Sequence, residues 1–153
     1  GQIKAGTVSA EPIVGADVFP TLCSMAGVPV PRDRIIDGAS ILPVFRGEPV
    51  IRERPLFWWY SLAIGGPKLA VREGDWKLLA DEPMDHIELY NLTDDPAEKN
   101  DLARAQPQRV EKLLAKLKEV RREVEGERPT WPEPTSRPVR GQAPARRPST
   151  ATQ

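Results

Sequence analysis

The sequence predicts an α+β fold, a small antiparallel β-sheet packed by one C-terminal α-helix. Three observations predict it. Residues 55–92 hold short strand-like segments joined by tight connections. Residues 107–124 carry a single apolar stripe at helical spacing. From Arg128 onward the chain is proline, arginine, serine and threonine with almost nothing apolar, a composition that cannot offset the entropy of ordering. At 153 residues the chain is one domain's worth at most. Its 39% hydrophobic content and 17 prolines fit a modest core plus a segment that does not fold.

Residues 1–14 read as extended, with Gly6, Ser9 and Pro12 breaking any period. Residues 16–27 then predict a helix. Val18, Phe19, Leu22, Met25 and Ala26 share one face, and Asp17 suits the positive first turn. Pro20 is tolerable only near that first turn, while Gly27, followed by Pro29 and Pro31, ends the helix. Residues 28–54 read as an irregular connection, with a turn signal at Asp37-Gly38 and a short apolar segment, Ser40 to Phe45, stopped by Gly47.

The sheet follows. Residues 56–60 are aromatic and strand-like, and 61–67 form a loop. Residues 68–72 alternate as a half-buried strand does, and Glu73-Gly74-Asp75 is a tight hairpin turn. Residues 76–80 put Trp76 and Leu78 on one face. Residues 87–92 set Ile87, Leu89 and Asn91 against Glu88, Tyr90 and Leu92. Short connections make an antiparallel meander the natural arrangement. After a polar turn at 94–102, Pro107 opens the last helix, whose stripe is Val110, Leu113, Leu114, Leu117, Val120 and Val124.

Charge excludes some functions. With 22 basic and 22 acidic residues the chain has no electrostatic reason to bind nucleic acid or an anionic membrane, and no apolar run approaches the ~20 residues of a membrane span. Cys23 is the single cysteine, so no internal disulfide forms. The chain opens on Gly1-Gln2-Ile3 without an initiator methionine or signal peptide, which reads as the middle of a longer protein.

Several motifs, in order, carry a resemblance. The segment EPIVGADVFPTLCSMAGVP (11–29) is followed by DGASILP (37–43), RPLFWWY (54–60), REGDWKLL (72–79) and ELYNLTDDPAEKNDL (88–102). Together they resemble the carboxy-terminal portion of type I sulfatases over about residues 3–120. The resemblance implies three parts. Residues 1–50 would be the trailing end of the catalytic domain, holding the last helix of a missing α/β domain. Residues 51–127 would be the C-terminal sheet-plus-helix subdomain, and 128–153 a disordered tail. It also implies a sulfuric ester hydrolase whose full-length form uses a formylglycine, made from cysteine or serine in a C/S-x-P-x-R sequence, and a divalent cation, usually calcium. Both would meet a dianionic transition state with fixed positive charge. Family members are commonly periplasmic, secreted or lysosomal.

This chain departs from the catalytic pattern. Cys23 is followed by Ser24, Met25, Ala26 and Gly27, without the required proline and arginine, and it lies on a helix where cysteine behaves as a small hydrophobe. His86, the sole histidine, stands with Asp81, Asp85 and Glu88 in turns beside a strand, which is a weaker reading as a metal site than as a turn. The expectation is that no catalytic residue and no cofactor belongs to this chain. Its partner would be the N-terminal catalytic domain, with the sulfate ester reached through the full-length enzyme. The candidate substrate-binding residues are Trp58, Tyr60 and Lys68: alternation sends Trp58 and Tyr60 to one face and Trp59 to the other, and an exposed aromatic face stacks on a sugar or aryl ring. Arg72 could add attraction for an anion. Asn91-Leu92-Thr93 matches a glycosylation sequon inside a predicted strand, where chance is the better account. Competing readings are a self-sufficient binding module and a relative that acts on phosphate esters.

Overall fold

A computed structural model of the chain describes residues 3–127. The predicted tail at 128–153 lies outside the described residues. The elements are helix α1 (Val18–Ala26), strands β1 (Leu56–Trp59), β2 (Leu69–Glu73), β3 (Trp76–Ala80) and β4 (Ile87–Asn91), and helix α2 (Pro107–Gly126), with 3-10 turns at Gly15–Asp17 and Leu42–Arg46. The fold is α+β. The sheet is the expected meander, ordered β1-β2-β3-β4 with every pair antiparallel.

The register explains the core. One row across the sheet runs Phe57, Val71, Leu78 and Leu89, and the next runs Trp59, Leu69, Ala80 and Ile87. Both rows lie on the inner face, where Leu69, Val71, Leu78, Ala80 and Leu89 pack with Leu113 and Leu117 of α2 into one buried cluster. Burying each of the larger side chains contributes roughly 1.5–3 kcal/mol before ordering costs. Cations close the cluster's margins: the Arg109 guanidinium lies 4.0 Å from the Trp76 ring centroid and that of Arg121 lies 5.1 Å from the Trp59 ring.

Local signals act where the sequence places them. Gly74 takes φ +58° at the first position of the two-residue loop between Glu73 and Trp76. Pro107 opens α2, and the buried residues of that helix, Leu113, Leu117 and Val120, are three of the six in its predicted stripe, with Val110, Leu114 and Val124 half-buried beside them. Between β4 and α2 the Asp95 carboxylate accepts the amides of Lys99 and Asn100, at 2.8 Å each, and so reverses the chain. Asp101 then accepts the Leu89 amide at 3.0 Å, while the Leu102 amide donates to the Leu89 carbonyl at 2.8 Å, which covers the outer edge of β4.

Three elements differ from expectation. Leu69, Ala70 and Val71 are all buried instead of alternating. β2 is a central strand, and Ala70, small and on the outer face, is flanked by Trp58 and Leu79. Asp37-Gly38 is a close approach of backbone to backbone instead of a turn: a Cβ on Gly38 would sit 2.0 Å from the Ala16 carbonyl oxygen. In α1 the predicted apolar face forms, but Val18, Phe19, Leu22 and Met25 are exposed to solvent, and the buried positions are Pro20 and Thr21 on the side facing residues 39–44.

What holds α1 to the rest is polar. The Asp17 carboxylate accepts the Val14 amide at 2.8 Å, the Ala39 amide at 2.9 Å, and both Arg52 terminal nitrogens at 2.6 and 2.7 Å. The Thr21 hydroxyl donates to the Asp17 carbonyl at 2.6 Å and accepts the Ile41 amide at 3.0 Å. Arg54 completes the connection by pairing with Glu123 on α2 and with Asp37, 3.4 Å away. No described helix is long and apolar enough to cross a membrane.

Candidate functional site

The three candidate substrate residues come together on the outer face of the sheet, at the end where β1 runs into loop 61–67. Trp58 is 41% exposed and Tyr60 63%. Trp59 turns inward, packs against the core and donates its indole N–H to Glu82 Oε1 at 3.2 Å. The pairing continues past β1, with the Tyr60 amide donating to the Lys68 carbonyl at 2.8 Å and the Lys68 amide to the Ala80 carbonyl at 2.9 Å, so Tyr60 and Lys68 are cross-strand neighbours. Lys68 Nζ is held 3.0 Å from the Ser61 carbonyl, at the root of the loop. Gly65 and Gly66 take positive φ angles and turn the loop back into β2. Arg72 lies on the same face four residues beyond Lys68, at the other end of β2 opposite Leu56, with its Nε donating to the Gly74 carbonyl at 2.9 Å.

His86 reaches this end of the sheet from the β3–β4 connection. Its Nδ1 is 2.9 Å from Asp81 Oδ2, while Asp81 Oδ1 accepts the amides of Asp85 and His86 at 2.8 and 3.2 Å. The hydrogen bond donated to the Asp81 carboxylate raises the imidazole pKa above its usual value, and the same bond holds the Asp81 carboxyl below its own. A cavity of about 270 Å³ opens here, lined by Gly66, Pro67, Asp81, His86 and Glu88. Beside it the Tyr90 hydroxyl donates to Glu88 Oε2 at 2.9 Å; burial and then that carboxylate push the phenol up to about 12.

A larger cavity, about 730 Å³, lies between the N-terminal segment, residues 47–56 and the β2–β3 hairpin. Three of the cations lining it are paired, Arg52 with Asp17, Arg54 with Glu123 and Lys116 with Glu73, while Arg72 bonds only to the Gly74 carbonyl. The cofactors implied by the resemblance find no fitting donors among the described residues. Cys23 sits within α1, half-buried, and no group of three or more His, Cys, Asp or Glu side chains could hold a metal ion. Sequence reasoning missed the placement of Asp81 and Glu88 on the same face as Trp58. The signal was present in strand parity, since Glu88 alternates with buried Leu89 as Trp58 does with Trp59.

A four-stranded meander with a helix packed on one face, and a polar-anchored helix ahead of it, is the architecture of a sulfatase C-terminal portion. Among solved structures, BT4656 in complex with its substrate D-glucosamine-2-N,6-O-disulfate aligns with a TM-score of 0.60 and 26% identity over 83% of this chain and 27% of that one. Ps i-CgsB in complex with k-i-k-neocarrahexaose aligns with a TM-score of 0.60 and 22% identity over 82% of this chain and 27% of that one, a likeness of fold. The profile of the family N-sulphoglucosamine sulphohydrolase, C-terminal, matches residues 1–125, and the chain belongs to that family. Among curated proteins it is 39% identical to mouse (Mus musculus) steryl-sulfatase over 62 residues, 40% of this chain and 10% of the relative. It is 38% identical to the N-acetylgalactosamine-6-sulfatase of the dog (Canis lupus familiaris) over 77 residues, 50% of this chain and 14% of the relative. The chain thus matches about a tenth to about a quarter of the length of these relatives.

Proposed function

We propose that the chain is the C-terminal part of a sulfuric ester hydrolase, inactive by itself, which braces an N-terminal catalytic domain and lends it substrate contacts. Residues 1–50 trail from that catalytic domain and 51–127 form the subdomain beside it. The formylglycine and the divalent cation, calcium in the expectation, are supplied by the N-terminal part, which meets the charge that develops on the sulfate. Trp58, Tyr60 and Lys68 are the contacts offered here, two rings for a sugar or aryl face and an ammonium near them.

The observation that carries this is the family match over residues 1–125, coupled with an outer sheet face whose aromatic rings are left in solvent at one end. The test is kinetic, on the enzyme that carries this chain. Sulfate esters should turn over faster than the matched phosphate esters, and Trp58→Ala or Tyr60→Ala should raise KM about tenfold with kcat within about twofold. Faster turnover of the phosphate ester would displace the sulfatase assignment. An unchanged KM in both variants would remove the substrate role.

A further inference from the structure

The balanced charge of the chain is the sum of two unbalanced parts. Residues 128–153 hold five arginines and one acid, Glu133, so of the 22 basic and 22 acidic residues 17 and 21 fall in 1–127. The first part is net acidic by four and the last 26 residues are net basic by four. The cavity of about 730 Å³ gathers some of that acidic excess. Glu11, Glu53 and Asp75 line it, and none of these three carboxylates has a hydrogen bond or ion pair among the described residues. Apolar wall is supplied by Val8, which is 91% exposed, and by Val50 and Pro55. Helix α2 brings the chain to the rim of this cavity. Lys116 lines it, and Glu123 pairs with Arg54, another lining residue. The helix ends three residues later, at Gly126.

We infer that residues 128–153 fold back into this cavity as a strap, with their arginines on Glu11, Glu53 and Asp75 and their prolines and Trp131 on the apolar wall. The strap goes beyond the sulfatase reading and does not rest on it. It ties residues 7–12, residues 47–56 and the β2–β3 hairpin to the end of α2, and it closes the cavity.

Length, composition and charge select this occupant. A segment so poor in apolar residues builds no core of its own, yet it gains order on a surface that supplies one. Its six prolines favour an extended polyproline form, so less freedom is lost on docking. At roughly 3.1 Å per residue the 26 residues reach about 80 Å, against about 30 Å for the whole of α2. A short flexible tether holds the segment at an effective concentration on the order of millimolar, so contacts too weak to keep a free peptide are enough. A small anion would meet three carboxylates of like charge. A nucleic acid or anionic membrane drawn to these arginines would have to accept a net acidic body with them.

The experiment uses the isotope-labelled 153-residue chain with a nitroxide on Ser136→Cys in a Cys23→Ala background, read by NMR. At low salt the Glu11, Gly74 and Asp75 amide signals should lose most of their intensity while that of Glu88, on the far strand, stays sharp. The loss should reverse at about 1 M salt, where the Debye length falls to about 3 Å. A second variant needs no label: Arg137, Arg140, Arg146 and Arg147 all replaced by glutamine should weaken docking about tenfold and shift the Gly74 and Asp75 amides. Full intensity at Gly74 and Asp75, equal loss at Glu88, or amides unmoved by the four substitutions would each overturn the strap. So would broadening in a mixture of spin-labelled and isotope-labelled chains, which would seat the segment on a second copy instead.

Discussion

Asp17 and Arg52, 35 residues apart, meet through two parallel hydrogen bonds of 2.6 and 2.7 Å, and the carboxylate is 1% exposed. This pair is the main anchor between α1 and the start of the sheet, because the apolar face of α1 contributes little within the described residues. Burial works to raise the Asp17 pKa, but the Arg52 guanidinium and the Ala39 and Val14 amides overcome it and hold the carboxyl at about 2. Since the folded value is depressed from 3.8, the stabilisation is present above pH 3.8 and disappears as the pH falls towards 2. Arg52→Met strands a buried carboxylate and should cost about 3 kcal/mol in the opening of residues 11–54, read from amide exchange of α1. Exchange rates equal to wild type would show that the pair anchors nothing.

Gly38→Ala should be strongly destabilising although Gly38 needs no special φ. The added methyl would meet the Ala16 carbonyl carbon at 2.4 Å and the Asp17 amide nitrogen at 2.8 Å, both backbone atoms that cannot swing away. The expected loss is about 2 kcal/mol with the Ala39–Asp17 bond broken, against less than about 0.5 kcal/mol for Gly15→Ala, where nothing lies within 4 Å. Equal stabilities of the two variants in urea titration would contradict the close approach.

Leu117→Ala and Leu22→Ser should separate the two halves of the molecule. Leu117 is fully buried under the sheet, so its truncation should cost about 2–5 kcal/mol. Leu22 is 56% exposed, so its loss in this chain should stay within about 0.5 kcal/mol. By the same reasoning α1, held by its polar anchor alone, should exchange its amides faster than β2, β3 and α2 do. A single sharp transition that protects α1 as well as β3 would refute this division.

The His86 ring should titrate above its ordinary value of 6.5, because the Asp81 carboxylate favours the charged form. Replacing Asp81 with asparagine should move the NMR midpoint back down towards that value. A midpoint unaffected by the substitution would mean the 2.9 Å contact is absent in solution.

Strand positions and the α2 stripe were legible in the sequence because burial there is local in origin. Alternation, the Gly74 turn and Pro107 each act within a few residues. Trp58 and Tyr60 were separable from Trp59 for the same reason. Long-range backbone packing was not legible: Asp37-Gly38 has the composition of a turn, and only the fold reveals that Ala16 lies against it. Asp17 read as a first-turn acid because its partner is 35 residues away. The face of α1 was correctly drawn, but amphipathicity says which side is apolar and not whether this chain covers it. The alignment of Asp81, His86 and Glu88 with Trp58 requires the register of all four strands, which no single segment encodes.

Purifying the 153-residue chain and offering it an aryl sulfate with calcium present is the most direct measurement. No turnover is expected, since among the described residues neither a convertible cysteine motif nor a metal-binding cluster exists, while the enzyme that carries the chain should cleave the same ester. Sulfate release by the chain alone, above the rate of buffer, would contradict its assignment as the non-catalytic part of a sulfatase.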